Sequence, residues 1–222
     1  MKNTIKKIQK AVGVDADGVF GALTLQAVAE KLRCAATLRC VQHAVGAHVD
    51  GLLGIETVSK IAGVLGLEWP TQAEVRSGKS IFGKAGDESN LVLVAPAYPL
   101  YFEGRLVKHV RVHKLIAEHV QAAFKEVLEA YGLKKIKELG LDQYDGSYTY
   151  RKSTGSASLS MHSWGIALDF AAEKNTYAMK KPNASLSKPE CEKWWQIWES
   201  HGAVSLGRSR DYDWMHLQFA SL

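Results

Sequence analysis

An internal repeat in the first third of the chain limits its fold more than any other feature. Ile8-Gln9-Lys10-Ala11-Val12-Gly13 returns as Val41-Gln42-His43-Ala44-Val45-Gly46, a shift of 33 residues. With no gap, Asp17-Gly18-Val19-Phe20-Gly21 then aligns with Asp50-Gly51-Leu52-Leu53-Gly54, and Thr24 with Thr57. Each unit reads as a short helix, a tight loop and a second helix. Asp-Gly supplies a turn with a positive-φ position, and the second glycine lets the chain bend again. Thr24 and Thr57 stand where helix N-caps are expected, ahead of Leu25-Val28-Leu32 and Val58-Ile61-Leu65 at helical spacing. Units this short cannot bury a core separately, so the two should pack as one helical domain.

Composition adds mainly exclusions. The 222 residues are 46% hydrophobic and 23% charged, ordinary values for a globular protein. Cys34, Cys40 and Cys191 are odd in number and fit no zinc spacing, so neither a disulfide framework nor a cysteine metal site is expected. The most apolar stretch, Leu91 to Phe102, contains Pro96 and Pro99 and is too short to span a bilayer. The N-terminal lysines are not followed by an apolar segment, so no secretory signal is expected, and the chain reads as soluble and made in a cytoplasm. The net charge of +5 is spread over both halves, with no finger, helix-turn-helix or RNA-binding signature beside it. Nucleic acid is therefore not expected as a partner, whereas a mild basic bias suits an anionic bacterial envelope.

Helical periodicity breaks after Trp69-Pro70, and residues 68–85 read as a linker. Gly78-Lys79-Ser80 resembles the end of a phosphate loop, but Ala73 stands where its first glycine belongs, so no nucleotide site is expected. Leu91-Val92-Leu93-Val94 is a candidate buried strand. An apolar stripe from Val112 to Tyr131 reads as an amphipathic helix ended by Gly132, with His119 on its core side.

Two later segments alternate in polarity. In Gly165-Ile166-Ala167-Leu168-Asp169-Phe170, Asp169 faces away from the apolar side, and His162 can fold back beside it. In Asp213-Trp214-Met215-His216-Leu217-Gln218-Phe219, His216 and Gln218 share the polar side. Two readings fit. The polar faces could meet to form a His162, Asp169, His216 zinc shell with one position open for water. Alternatively, two amphipathic strands could expose one polar face each, and alternation alone favours this plainer arrangement.

The motifs then carry two resemblances. The doubled Gln, Asp-Gly-x-x-Gly, Thr pattern over residues 3–66 resembles the peptidoglycan-binding module found on cell-wall hydrolases, which implies wall-binding loops at Asp17, Gly18, Asp50 and Gly51. Ser160-x-His162-x-x-Gly165-x-Ala167-x-Asp169, followed by Asp213-x-x-His216, resembles the zinc D-Ala-D-Ala carboxypeptidase and L-alanyl-D-glutamate endopeptidase family. Gly146 to Arg151 looks like that family's strand ending in a substrate-facing arginine. The resemblance implies Zn2+ on His162, Asp169 and His216, with Asp213 as general base. It also implies Arg151 toward the oxyanion or a substrate carboxylate, and Ser160 near the substrate or serving only its turn.

The expected architecture is α+β. A small all-α peptidoglycan-binding domain (1–67) and a linker (68–85) precede a zinc peptidase domain (86–222) with a small, mainly antiparallel sheet flanked by helices. The expected function is endolysin-like cleavage of the stem peptide at L-Ala-D-Glu, by a monomer held in the host cytoplasm until release to the wall. Neither membrane nor nucleic acid is an expected partner. D-Ala-D-Ala carboxypeptidase action and a non-catalytic wall-binding protein are the alternatives.

Overall fold

The computed structural model describes residues 1–65, 67 and 69–222. The chain divides into two compact units, Met1–Pro70 and Thr71–Leu222.

The first unit holds four helices: α1 (Lys2–Ala11), α2 (Ala22–Lys31), α3 (Leu38–Ala44) and α4 (Ile55–Val64). Ile5, Ile8, Val28, Val41, Val58 and Ile61 form its core. The repeat is reproduced bond by bond. The Gln9 side-chain amide donates to Asp17 Oδ1 (2.7 Å), Val19 O (2.9 Å) and Thr24 Oγ1 (3.1 Å), while its Oε1 accepts from Gly18 N (2.8 Å). Gln42 makes the same four bonds to Asp50, Leu52, Thr57 and Gly51. Both glutamines are buried, so each loop closes over an amide whose polar atoms are all used.

One expectation changes here. Thr24 and Thr57 are not N-caps: Gly21 and Gly54 hold those positions, and the threonine hydroxyls sit inside the helices as acceptors for the glutamines. Asp17 and Asp50 also accept from the amides of Val19 and Leu52, so their carboxylates bind their own turns. Gly18 and Gly51 adopt φ near +80°, which the turn requires of them.

The second unit is α+β. It opens with α5 (Gln72–Arg76), closed by a Thr71/Glu74 capping box. β1 (Leu91–Val94) pairs antiparallel with β4 (Val110–His113), and β2 (Leu100–Phe102) pairs with β3 (Arg105–Val107) in a hairpin. The long α6 (Ala117–Leu139) follows. The central sheet has the order β5-β6-β8-β7, from β5 (Tyr144–Gly146), β6 (Ala167–Phe170), β8 (His216–Gln218) and β7 (Val204–Ser205), with every ladder antiparallel. Between β6 and β8 stand α7 (Glu192–Ser200) and the short α8 (Leu206–Arg210). Phe170 of β6 meets Trp194 of α7 edge-on at 5.3 Å, and Phe124 of α6 meets Trp198 at 5.3 Å, so aromatic side chains join these helices to the sheet. Among the described residues no helix is long and apolar enough to cross a membrane.

Several local expectations are corrected. Gly132 kinks α6 with φ 66°, ψ 160° but does not end it; Gly140, left-handed at φ 69°, does. Val112 belongs to β4. β1 is half-exposed, with Leu93 65% accessible, because it pairs only with β4. The presumed linker is largely part of the second unit. Gln72 N donates to Ser221 O, Arg76 Nε to Leu159 O, and Gly86 N to Ser163 O. Val75 and Phe82 are buried, so this segment has the apolar anchors that a linker lacks.

Candidate metal centre

The site is built where β6 and β8 run side by side. Their register places Asp169 opposite His216 and Ala167 opposite Gln218, so the polar positions share one face. Both strands are buried throughout, which excludes the half-exposed sheet as an explanation of their alternation. His162 arrives on a single 3-10 turn, Met161–Trp164, where the Ser160 hydroxyl caps the start by accepting from His162 N. Gly165 ends that turn at φ +67°. A Cβ there would stand 2.6 Å from Leu91 Cδ2 and 3.2 Å from the His113 amide, so only glycine lets the chain enter β6.

His162, Asp169 and His216 converge. His162 Nε2 lies 3.2 Å from His216 Nδ1 and 3.1 Å from Asp169 Oδ2, and His216 Nδ1 lies 2.9 Å from Asp169 Oδ1. Donors on a tetrahedral ion with bonds of about 2.0 Å stand about 3.3 Å apart, so the spacing fits zinc. Tautomers fit as well. His162 Nδ1 faces Ser147 O (3.0 Å), which can only accept, so the proton sits there. His216 Nε2 faces Gln218 Oε1 (3.2 Å), and the Gln218 amide nitrogen is committed to Ala220 O (2.7 Å). In the neutral form each imidazole therefore turns an unprotonated nitrogen inward, beside a carboxylate. Three electron-rich atoms about 3 Å apart in a buried site require a cation or a proton between them.

The electrostatics agree. Burial alone would push the Asp169 carboxyl up, yet the charges and hydrogen bonds of both imidazoles hold it far below the usual range. Burial draws the His216 pKa down, but the hydrogen bond and charge of Asp169 outweigh it and the value ends raised.

Asp213 stands at the edge of this cluster. Its backbone is left-handed at φ 53°, its amide donates to Tyr177 O, and its carbonyl accepts from His216 N. Its Oδ1 is buried and has no hydrogen-bond partner among the described residues. Burial raises its pKa, with Asp169 adding to the shift and His216, His162 and Arg151 opposing it. Trp214 fixes the turn through Nε1 to Asp211 Oδ1 (3.0 Å) and by packing on Gly207, where a Cβ would meet the indole at 2.4 Å.

Arg151 lines the same cleft as Asp169, Asp213, His216 and Ser160, a cavity of about 270 Å³. It lies beyond β5 in irregular chain, so the expected strand up to the arginine stops at Gly146. Ser163, inside the histidine turn, holds it in place by accepting from Arg151 N and donating to Arg151 O. Ser160 mainly serves its turn. Asn175, in the loop after β6, is fully buried and clamps Ala171, Ser185 and Leu186. Asp17, Gly18, Asp50 and Gly51 belong to the first unit. The sequence places Gln218 on the polar strand face of His216 but assigns it no role, and nothing in the local pattern singles out Gln72 or Arg76.

A family model described as D-alanyl-D-alanine carboxypeptidase matches residues 154–219, a span that holds all three converging donors and Asp213. No curated protein and no solved structure matches the chain. The matched span is the part of the chain whose His162, Asp169 and His216 could hold a metal ion.

Proposed function

We propose that the chain is a zinc-dependent peptidoglycan peptidase of endolysin type that cuts the wall stem peptide, with L-Ala-D-Glu as the bond. The observation that carries the reading is the inward convergence of two unprotonated imidazole nitrogens and a carboxylate, with an unpartnered carboxylate oxygen beside them. A zinc ion on His162, Asp169 and His216 would supply Lewis acidity toward the scissile carbonyl and lower the pKa of water toward about 7. Asp213 takes the proton from the attacking water on Oδ1 and delivers it to the leaving amine; its raised pKa suits both transfers. Arg151 offers a planar guanidinium to the developing oxyanion or to a substrate carboxylate. In the first unit, the loop aspartates are engaged in their turns. Contact with the wall then falls to equivalent exposed positions such as Val19 and Leu52, 63% and 70% accessible. A weak binding unit tethered to the peptidase raises its effective concentration on an insoluble polymer.

The description of the matching family favours a second reading, removal of terminal D-Ala by the same residues. Mass spectrometry of digested peptidoglycan separates the two. New N-terminal D-Glu supports the endopeptidase, and released D-Ala the carboxypeptidase. Released reducing sugar, or purified protein without stoichiometric zinc, defeats both. Asp213→Asn should keep its zinc and lose about 10²- to 10⁴-fold in turnover; wild-type turnover would remove Asp213 from the mechanism.

A further inference from the structure

The wall of the cleft contains a second arginine that lies outside the matched segment. Arg76, the last residue of α5, lines the same cavity as Arg151, Asp169, Asp213 and His216. Its Nε donates to Leu159 O at 2.9 Å, one residue before Ser160. That bond occupies Nε, and among the described residues neither terminal nitrogen of this cleft-lining arginine has a hydrogen-bond partner. Among the described residues no carboxylate pairs with Arg76 or Arg151, although other arginines of the unit, Arg111 and Arg208, do have glutamate partners. Burial lowers the Arg76 pKa, as expected for a cation partly removed from water without a counter-charge.

The charge balance points the same way. With a divalent ion on the three donors, the charges of Asp169 and Asp213 offset the metal, and both guanidinium charges are left over. One can serve the reacting carbonyl. The other has no counter-charge unless the substrate brings one. The two arginines flank a single hydroxyl-rich loop, residues 152–159, whose ends are bridged at Lys152 and Leu159, so their spacing is set by the fold.

We propose that Arg76 is a carboxylate-binding residue that selects acidic peptides carrying a free carboxylate away from the scissile bond. This rests on the peptidase reading above and names the substrate feature that the site would recognise. A forked guanidinium meets a carboxylate through two parallel hydrogen bonds, a geometry that a carboxamide cannot match in charge and that lysine cannot match in shape. In a stem peptide the free carboxylate could be the α-carboxylate of a γ-linked D-Glu or the carboxylate of the C-terminal residue.

The test uses three synthetic stem pentapeptides with the zinc-loaded full chain: one unmodified, one amidated at the D-Glu α-carboxylate, one amidated at the C-terminus. The wild type should prefer the unmodified peptide over one amide by about ten- to a hundredfold in kcat/KM, expressed mainly in KM. The amide that suffers identifies which carboxylate is bound. In Arg76→Gln that ratio should fall toward one at unchanged zinc content, and Arg76→Lys should keep only part of it. A wild type that cuts all three equally overturns the proposal without any variant. So does an Arg76→Gln or Arg76→Lys enzyme with the full wild-type ratio. A zinc-loaded wild type that cuts none of the peptides, nor intact peptidoglycan, instead defeats the peptidase reading itself.

Discussion

Replacing Gln218 with leucine tests the metal site without relying on catalysis. Gln218 is 1% exposed and makes three side-chain bonds: Oε1 accepts from His216 Nε2 at 3.2 Å and from Gln72 Nε2 at 3.1 Å, and Nε2 donates to Ala220 O at 2.7 Å. Leucine matches the volume but removes the acceptor that keeps the His216 proton on Nε2. The ring can then carry its proton on Nδ1, the atom that faces Asp169 and His162, and in that form it cannot ligate. Loss of an outer hydrogen bond of this kind costs about 10- to 100-fold in metal affinity, or about 1.4–2.7 kcal/mol. Gln218→Glu keeps the acceptor and gives up only the donor to Ala220, so it should bind zinc at least as well as the wild type at neutral pH. Competition against a chromophoric chelator at fixed pH reads both dissociation constants on folded protein, with folding checked by circular dichroism. If Gln218→Leu binds zinc within twofold of wild type, or if Gln218→Glu is as weak as Gln218→Leu, the tautomer argument is wrong.

Other perturbations reach other parts of the molecule. Gly207→Ala forces a methyl group against the Trp214 ring and should cost about 1–3 kcal/mol of stability; because Trp214 fixes the Asp213 turn, turnover should fall with it, and an unchanged melting temperature would show that the contact relaxes freely. Gln42→Leu leaves Asp50, Thr57 and Gly51 without their shared buried partner, so the first unit should lose about 2–4 kcal/mol; hydrogen exchange of α3 and α4 amides in the full chain measures it, and native protection would contradict the hub role. The carboxyls of Asp17 and Asp50 are lowered by the Val19 and Leu52 amides first and by Gln9 and Gln42 second. Lowered carboxylates stabilise the fold above their unfolded value near 3.8 and lose that effect as pH falls through the lower folded value. Exchange protection of both loops should therefore weaken below about pH 4, and the double variant Asp17→Asn, Asp50→Asn should show a flatter pH dependence; parallel curves for variant and wild type would assign the acid sensitivity elsewhere.

What could be read in advance was whatever depends on period and local spacing. Alternation placed Asp169 and His216 on polar strand faces, and the ladder sets them opposite one another. The 33-residue shift became two superimposable hydrogen-bond sets around Gln9 and Gln42. What could not be read depended on distant partners. Thr24 looks like a cap by composition, yet a glutamine fifteen residues earlier claims its hydroxyl. Gly132 looks like a terminator, but the helix resumes beyond it and ends only at Gly140. Gln72 meets Gln218 across 146 residues of sequence, and no local pattern announces such a pair.

The segment taken for a linker is where these two kinds of information part most sharply. Glycine, serine and lysine dominate residues 77–86, and a backbone of that composition is expected to be solvated and loose. Its hydrogen bonds instead follow the motif that carries His162: Arg76 holds Leu159 O, Gly83 O accepts from the Trp164 indole at 3.0 Å, and Gly86 N reaches Ser163 O. Phe82 is buried edge-on against His113 at 5.2 Å and anchors the run. Glycine is abundant there because of backbone angle: Gly78, Gly83 and Gly86 all take positive φ, and at Gly86 a Cβ would stand 3.1 Å from the Tyr150 ring. α5 thus reaches the donor set through Gln72, Gln218 and His216 and reaches the cleft through Arg76. The family match begins at residue 154, and the orientation of His216 depends on a helix more than seventy residues before it.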